Sequence, residues 1–154
     1  SSDLAAPVKF KGQKGQHDKV LNIVKPTQQL DDMAKGFLPP DWTCKSWGSF
    51  AELLEAPEVQ RLGRQAVIID LDGLGDEDWR PLVKRLIQTL TKTEHPYVFI
   101  VSSQDPIAGK DMDVLKSVAD KAKWRIFHRP LPISAFEQDI RQLDKAVEDG
   151  EEEE

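Results

Sequence analysis

From residue 19 to residue 147 the apolar positions switch repeatedly between short continuous runs and a helical period. The runs are Val20-Leu21-Asn22-Ile23-Val24, Ala66-Val67-Ile68-Ile69, Val98-Phe99-Ile100-Val101 and Trp124-Arg125-Ile126-Phe127. Their length predicts strands, and their β-branched and aromatic content suits strands covered on both faces of a parallel sheet. A fifth, weaker strand is predicted from Trp42 to Trp47, where apolar and polar residues alternate. Helical stripes lie between and after the runs: Leu82, Val83, Leu86, Ile87 and Leu90; Met112, Leu115, Ala119 and Ala122; Phe136, Ile140, Leu143 and Val147. Such stripes are the faces by which helices cover a sheet. Ser49-x-x-Glu52 and Ser134-x-x-Glu137 read as capping boxes, and Asp76, Glu77 and Asp78 crowd the expected start of another helix, where the dipole favours negative charge. The order is strand and helix in alternation, the pattern of an open parallel α/β sheet.

A chain of 154 residues has room for one such domain, and its 39% hydrophobic and 31% charged composition is that of an ordinary globular protein. No apolar run approaches the roughly 18 residues a membrane span needs, so no membrane partner is expected. A formal charge of -6 opposes a phosphate backbone. Only Lys9, Lys11, Lys14 and Lys19 are clustered, and they lie in or beside a segment without periodicity, so no nucleic-acid partner is expected. Residues 1–18 read as a flexible tail, 19–147 as the domain, and 148–154 (EDGEEEE) as a self-repelling acidic tail or linker. One cysteine, Cys44, allows no internal disulfide and no Cys-rich zinc site. Together with the lack of a signal-peptide core, this makes cytoplasmic localisation the expectation.

In an open parallel sheet, working side chains collect beyond the carboxyl ends of the strands. Those positions hold Lys25-Pro26, Asp70-Leu71-Asp72-Gly73, Ser102-Ser103 and His128-Arg129-Pro130. The segments VIIDLDG, VFIVSS and FHRPLP, in that order over residues 19–147, resemble the receiver domain of two-component response regulators. The resemblance implies a flavodoxin-like, doubly wound five-stranded sheet with strand order 2-1-3-4-5. It also implies that Asp70 stands at the phosphoacceptor position and Ser102 or Ser103 at the switch Ser/Thr. Arg129-Pro130 takes the place of the family's Lys-Pro pair.

The departures decide the functional reading. Receivers carry an acidic pair after the first strand, because Mg2+ requires oxygen ligands there. This chain has Lys25-Pro26 instead, and Asp31-Asp32 falls inside the first helix as a solvated face. Arginine is no simple stand-in for lysine at a tight phosphate site. Asp70 is therefore expected in a closed ion-pair cluster with Lys25 and Arg129, with Asp72, Ser102, Ser103 and Pro130 as its neighbours. The expectation is a degenerate pseudo-receiver that is not an enzyme and carries no cofactor, Mg2+ being required only by a working receiver. Its partners would be a protein, an output domain or a second copy. The contact face that the resemblance implies is built by the fourth helix, fifth strand and fifth helix, with Glu137, Arg141 and Lys145 on the outer side of the last helix presenting alternating charge.

Three other readings stay open. One is a phosphorylatable receiver with Asp70 as acceptor. Another is a haloacid-dehalogenase-like phosphohydrolase using Asp70-Leu71-Asp72-Gly73, although that superfamily carries its motif on the first strand. The third is an anti-sigma-antagonist type binding domain. His17, His95 and His128 are scattered without metal-ligand spacing, Cys44 reads as a packing thiol, and Trp79 as a residue buried at a sheet-helix junction.

Overall fold

The computed structural model describes residues 19–56, 64–90, 94–120 and 122–145. Along them follow β1 (Lys19–Val24), α1 (Gln28–Phe37), β2 (Thr43–Trp47), α2 (Phe50–Glu55), β3 (Arg64–Asp70) and α3 (Arg80–Leu90). Then come β4 (Glu94–Ser102), α4 (Gly109–Lys116), β5 (Lys123–His128) and α5 (Ile133–Arg141). Short 3-10 turns, Leu71–Leu74 and Ser117–Asp120, follow β3 and α4. The strands pair in parallel in the order β2-β1-β3-β4-β5, as expected. Parallel neighbours require crossovers, and the helices supply them.

Side-chain alternation along each strand sends the two halves of every apolar run to opposite faces. Leu21, Ile23, Ala66, Ile68, Phe99, Val101 and Phe127 pack with Leu30 and Ala34 of α1 and with Phe136, Ile140 and Leu143 on and beyond α5. Val24, Val67, Ile69, Val98 and Ile100 pack with Phe50 and Leu53 of α2, Val83 and Leu86 of α3, and Leu115 of α4. Phe50, Phe99 and Phe136 are fully buried. Each such side chain stabilises the fold by about 2–3 kcal/mol relative to exposure. β2 is an edge strand, with Thr43, Lys45 and Ser46 exposed, which explains its weaker apolar signal.

One polar residue interrupts a buried run and another stands just before the next, and they meet. Asn22 on β1 donates to the Gln65 Oε1 on β3 (2.9 Å) and accepts from the Trp47 Nε1 on β2 (3.0 Å). Asn22 and Gln65 are 1% and 2% exposed, so their hydrogen bonds offset a desolvation cost that would otherwise fall on the sheet centre. The contact ties three strands in one register.

Helix starts follow the sequence in part. The Ser49 Oγ accepts from the Glu52 N–H (3.1 Å), as the first capping box predicts, and the Thr27 Oγ1 caps α1 by accepting from Leu30 (3.2 Å). The second box does not form. α5 begins at Ile133, ahead of Ser134, and the Pro132 carbonyl accepts the first helical bond, from Phe136 (2.9 Å). Pro132 stands at the N-cap with extended backbone and no side-chain cap bond, so Ser134 falls inside the first turn. Glu137 bonds forward to Arg141 instead. Asp76, Glu77 and Asp78 precede α3 and do not occupy its first turn; Asp78 accepts from the Arg80 N–H (3.2 Å). The expected tails, Val147 and His17 lie outside the described residues.

Candidate functional site

The register of the central strands places Asp70 at the carboxyl end of β3 opposite Val101, and Ser102 at the end of β4 opposite His128. Arg129 follows His128 directly, its N–H bonded to the Ser102 carbonyl (3.0 Å), and its side chain turns back over the sheet edge. Residues 59 positions apart are thereby joined. Arg129 Nη1 donates to Asp70 Oδ1 (2.9 Å) and Nη2 to Asp70 Oδ2 (2.7 Å), a bidentate pair with a carboxylate that is fully buried. Nη1 also donates to Asp72 Oδ2.

Asp72 is fixed from its other side. Its Oδ1 accepts from both the N–H (3.1 Å) and the Oγ–H (2.9 Å) of Ser103. The Asp70 Oδ1 accepts in addition from the Asp72 N–H (3.2 Å), capping the start of the 3-10 turn. All four carboxylate oxygens are therefore engaged. Burial pushes the Asp72 carboxyl upward, but the Ser103 hydrogen bonds and the Arg129 guanidinium outweigh it and hold the group below its ordinary value. The Asp70 hydrogen bonds in turn raise Arg129 above its already high value. Ser102 is buried at the strand end and accepts from the Gln104 N–H (3.0 Å), so of the two serines only Ser103 reaches the acidic pair.

Lys25 does not join this cluster. Its side chain is exposed and makes no ion pair with Asp70, contrary to the closed cluster expected. The reason is its backbone: φ is 45°, in the left-handed region, and its N–H bonds to the Trp47 carbonyl (3.0 Å). That turn presses the Lys25 carbonyl against Gly73, where a Cβ would stand 2.4 Å from the oxygen. The crevice between the ends of β1 and β3, where strand order reverses and such sheets usually bind ligands, is narrowed by main chain.

Mg2+, which the receiver resemblance brings into question, requires near-octahedral oxygen coordination. The cluster offers two carboxylates whose oxygens already accept from Arg129, Ser103 and the Asp72 amide, and a cation stands between them. Among the described residues, no group of three or more His, Cys, Asp or Glu could hold a metal ion. The donor set does not fit Mg2+. Asp31 is occupied elsewhere: it pairs with Lys35 (2.8 Å) and accepts from the Ser46 Oγ (2.6 Å), linking α1 to β2, and so is more than a solvated face.

The remaining candidates are scattered. Pro130 is exposed after a cis peptide. His128 Nε2 stands 3.8 Å from Asp105 Oδ1, a contact that sequence separation hid. Burial pushes the Cys44 thiol up to about 11, which suits a packing residue. Trp79 is half-buried against the core beside α3. On α5, Arg141 Nε donates to Glu137 Oε2 (2.6 Å) and its guanidinium lies 5.3 Å from the Phe37 ring centroid of α1, while Lys145, expected on the same helix, is exposed beyond its end. No helix among the described residues is long and apolar enough to cross a membrane.

Neither the protein-family models nor the curated proteins compared with this sequence match it. Among solved structures, a response regulator from Colwellia psychrerythraea is similar at 13% identity with a TM-score of 0.61, covering 82% of this chain and 97% of that one. With the observed strand order, that likeness shows that this chain has a flavodoxin-like fold similar to that of the response regulator.

Proposed function

We propose that the domain is a receiver-like signalling module that acts through protein-protein contact, independently of aspartyl phosphorylation and without enzymatic turnover. One observation carries this reading: both oxygens of Asp70, the residue at the phosphoacceptor position, are held by the Arg129 guanidinium. A phosphoryl group could reach Asp70 only after Arg129 left. Its departure would strand a buried carboxylate, and breaking such a pair costs about 3–5 kcal/mol. A metal that could repay the loss lacks its ligands after β1, where Lys25-Pro26 stands. The fold likeness to a response regulator supports the signalling class, and the outer side of α5 with the residues just after it, Glu137 and Arg141 on the helix and Lys145 beyond its end, is the face we assign to a protein partner, an output domain or a second copy.

The test is phosphoryl-analogue binding by the intact chain. Beryllofluoride with Mg2+ at millimolar concentration should give no saturable change in tryptophan fluorescence, and acetyl phosphate should add no mass to the protein. Saturable binding that Asp70→Asn abolishes would restore the phosphorylatable receiver. Small phosphomonoesters should not be hydrolysed; turnover lost in both Asp70→Asn and Asp72→Asn would instead select the phosphohydrolase reading.

A further inference from the structure

The acidic pair at the end of β3 matches the shape of a different cation. A guanidinium is planar and directional, with donors in a fixed fork that pairs two by two with a carboxylate, whereas a divalent metal needs ligands distributed around it. Here the fork meets Asp70 edge-on (2.9 and 2.7 Å), and one of the same nitrogens reaches Asp72. Ser103, at the start of the loop after β4, orients Asp72 by donating twice to the oxygen that faces away from Arg129. The Asp72 N–H and Ser103 thus supply a frame of donors that positions both carboxylates without itself carrying charge.

We propose that Asp70, Asp72 and Ser103 form a guanidinium-selective site, loaded in cis by Arg129, in place of a divalent-metal site. This deepens the phosphorylation-independent reading and rests on it. Selectivity follows from the geometry: the two carboxylates converge on one flat cation, and the donors from Ser103 and the Asp72 amide leave few lone pairs directed elsewhere. The site also has a mechanical consequence. Arg129 begins the loop that leads to α5, so its occupancy anchors the end of β5 and that loop to the ends of β3 and β4.

The experiment is chemical rescue in the full chain. Arg129→Ala should unfold at a lower temperature than the parent, and guanidinium chloride up to about 20 mM, too dilute to denature appreciably, should raise its melting temperature saturably by about 2 °C. Sodium chloride at equal ionic strength and Mg2+ should not reproduce the rise, and Arg129→Ala combined with Asp70→Asn should lose it. A guanidinium response that is absent, or equalled by Mg2+, would overturn the proposal. If Arg129→Ala does not fold, the parent decides: low-temperature NMR should resolve separate Nη–H resonances for Arg129, and resonances averaged by free rotation would overturn the proposal equally. Phosphorylation of Asp70 in the parent would defeat the phosphorylation-independent reading while leaving the titration outcome unaffected, so the two failures are distinguishable.

Discussion

The α-carbon of Gly73 lies against the carbonyl of Lys25, so close that a Cβ would stand 2.4 Å from that oxygen. The contact joins the loop after β1 to the turn after β3 at the point where strand order reverses. Lys25 holds it with φ 45°, a conformation that costs a non-glycine residue about 1 kcal/mol. Sequence placed Lys25 beside Asp70 as a countercharge; the structure uses its main chain as a wedge.

Gly73→Ala should therefore destabilise the domain, since the obstacle is backbone and cannot rotate away. Overpacking of this kind costs about 1–3 kcal/mol. The loss is measured as a drop in the urea midpoint by circular dichroism. A parent-like midpoint would show that the two loops can separate freely.

Acid should weaken the fold through two carboxylates. Asp31 is held below its ordinary value by hydrogen bonds from Lys35 and then Ser46, and Asp72 by the Ser103 bonds and Arg129 against the opposing effect of burial. A group whose folded pKa is depressed contributes stability that is present above its unfolded pKa, about 4 for an aspartate, and is lost as pH falls through the folded value. Stability to urea should hold from neutral pH down to about pH 5 and then decline. Asp72→Asn should make the decline shallower; an unchanged pH profile in that variant would remove Asp72 from the account.

Much of the fold was legible because its signals are local. The four apolar runs became β1, β3, β4 and β5, and the Ser49 box became the cap of α2. The second box, although its residues are the right ones, does not form because the helix starts one residue before Ser134, with Pro132 at the N-cap. The site was legible only in part. The partnership of Arg129 with Asp70 spans 59 positions and no periodicity announces it; only the rule that residues after parallel strands collect at one end of the sheet, and then the receiver resemblance, put the two together. Lys25 was misplaced because side-chain charge says nothing about backbone φ. The Asn22-Gln65-Trp47 contact did leave a trace, a polar residue inside one buried run and another just before the next, which core burial alone cannot explain.

The face assigned to a partner on α5 has two sides, and their charges differ in what they do within the chain. Towards β5, Asp139 pairs with Arg125 (2.7 Å); towards α1, Arg141 pairs with Glu137 and lies over Phe37. Arg141 is therefore not simply displayed: an exposed ion pair of this spacing contributes about 0.3–0.5 kcal/mol, and a cation over an aromatic ring at an exposed site about 0.5–1 kcal/mol. Arg141→Glu should cost the domain about 1 kcal/mol, because it removes both contacts and sets a carboxylate one helical turn from Glu137. Lys145→Glu, at an exposed position, should change stability by less than about 0.5 kcal/mol. The sensitive measurement of partner contact is thus Lys145→Glu alone, read by sedimentation for self-association or by titration with a purified partner. Weakened association at an unchanged urea midpoint is the expected result. Association equal to the parent's in that variant would remove Lys145 from the contact and leave the side marked by Arg125 and Asp139 as the next to test.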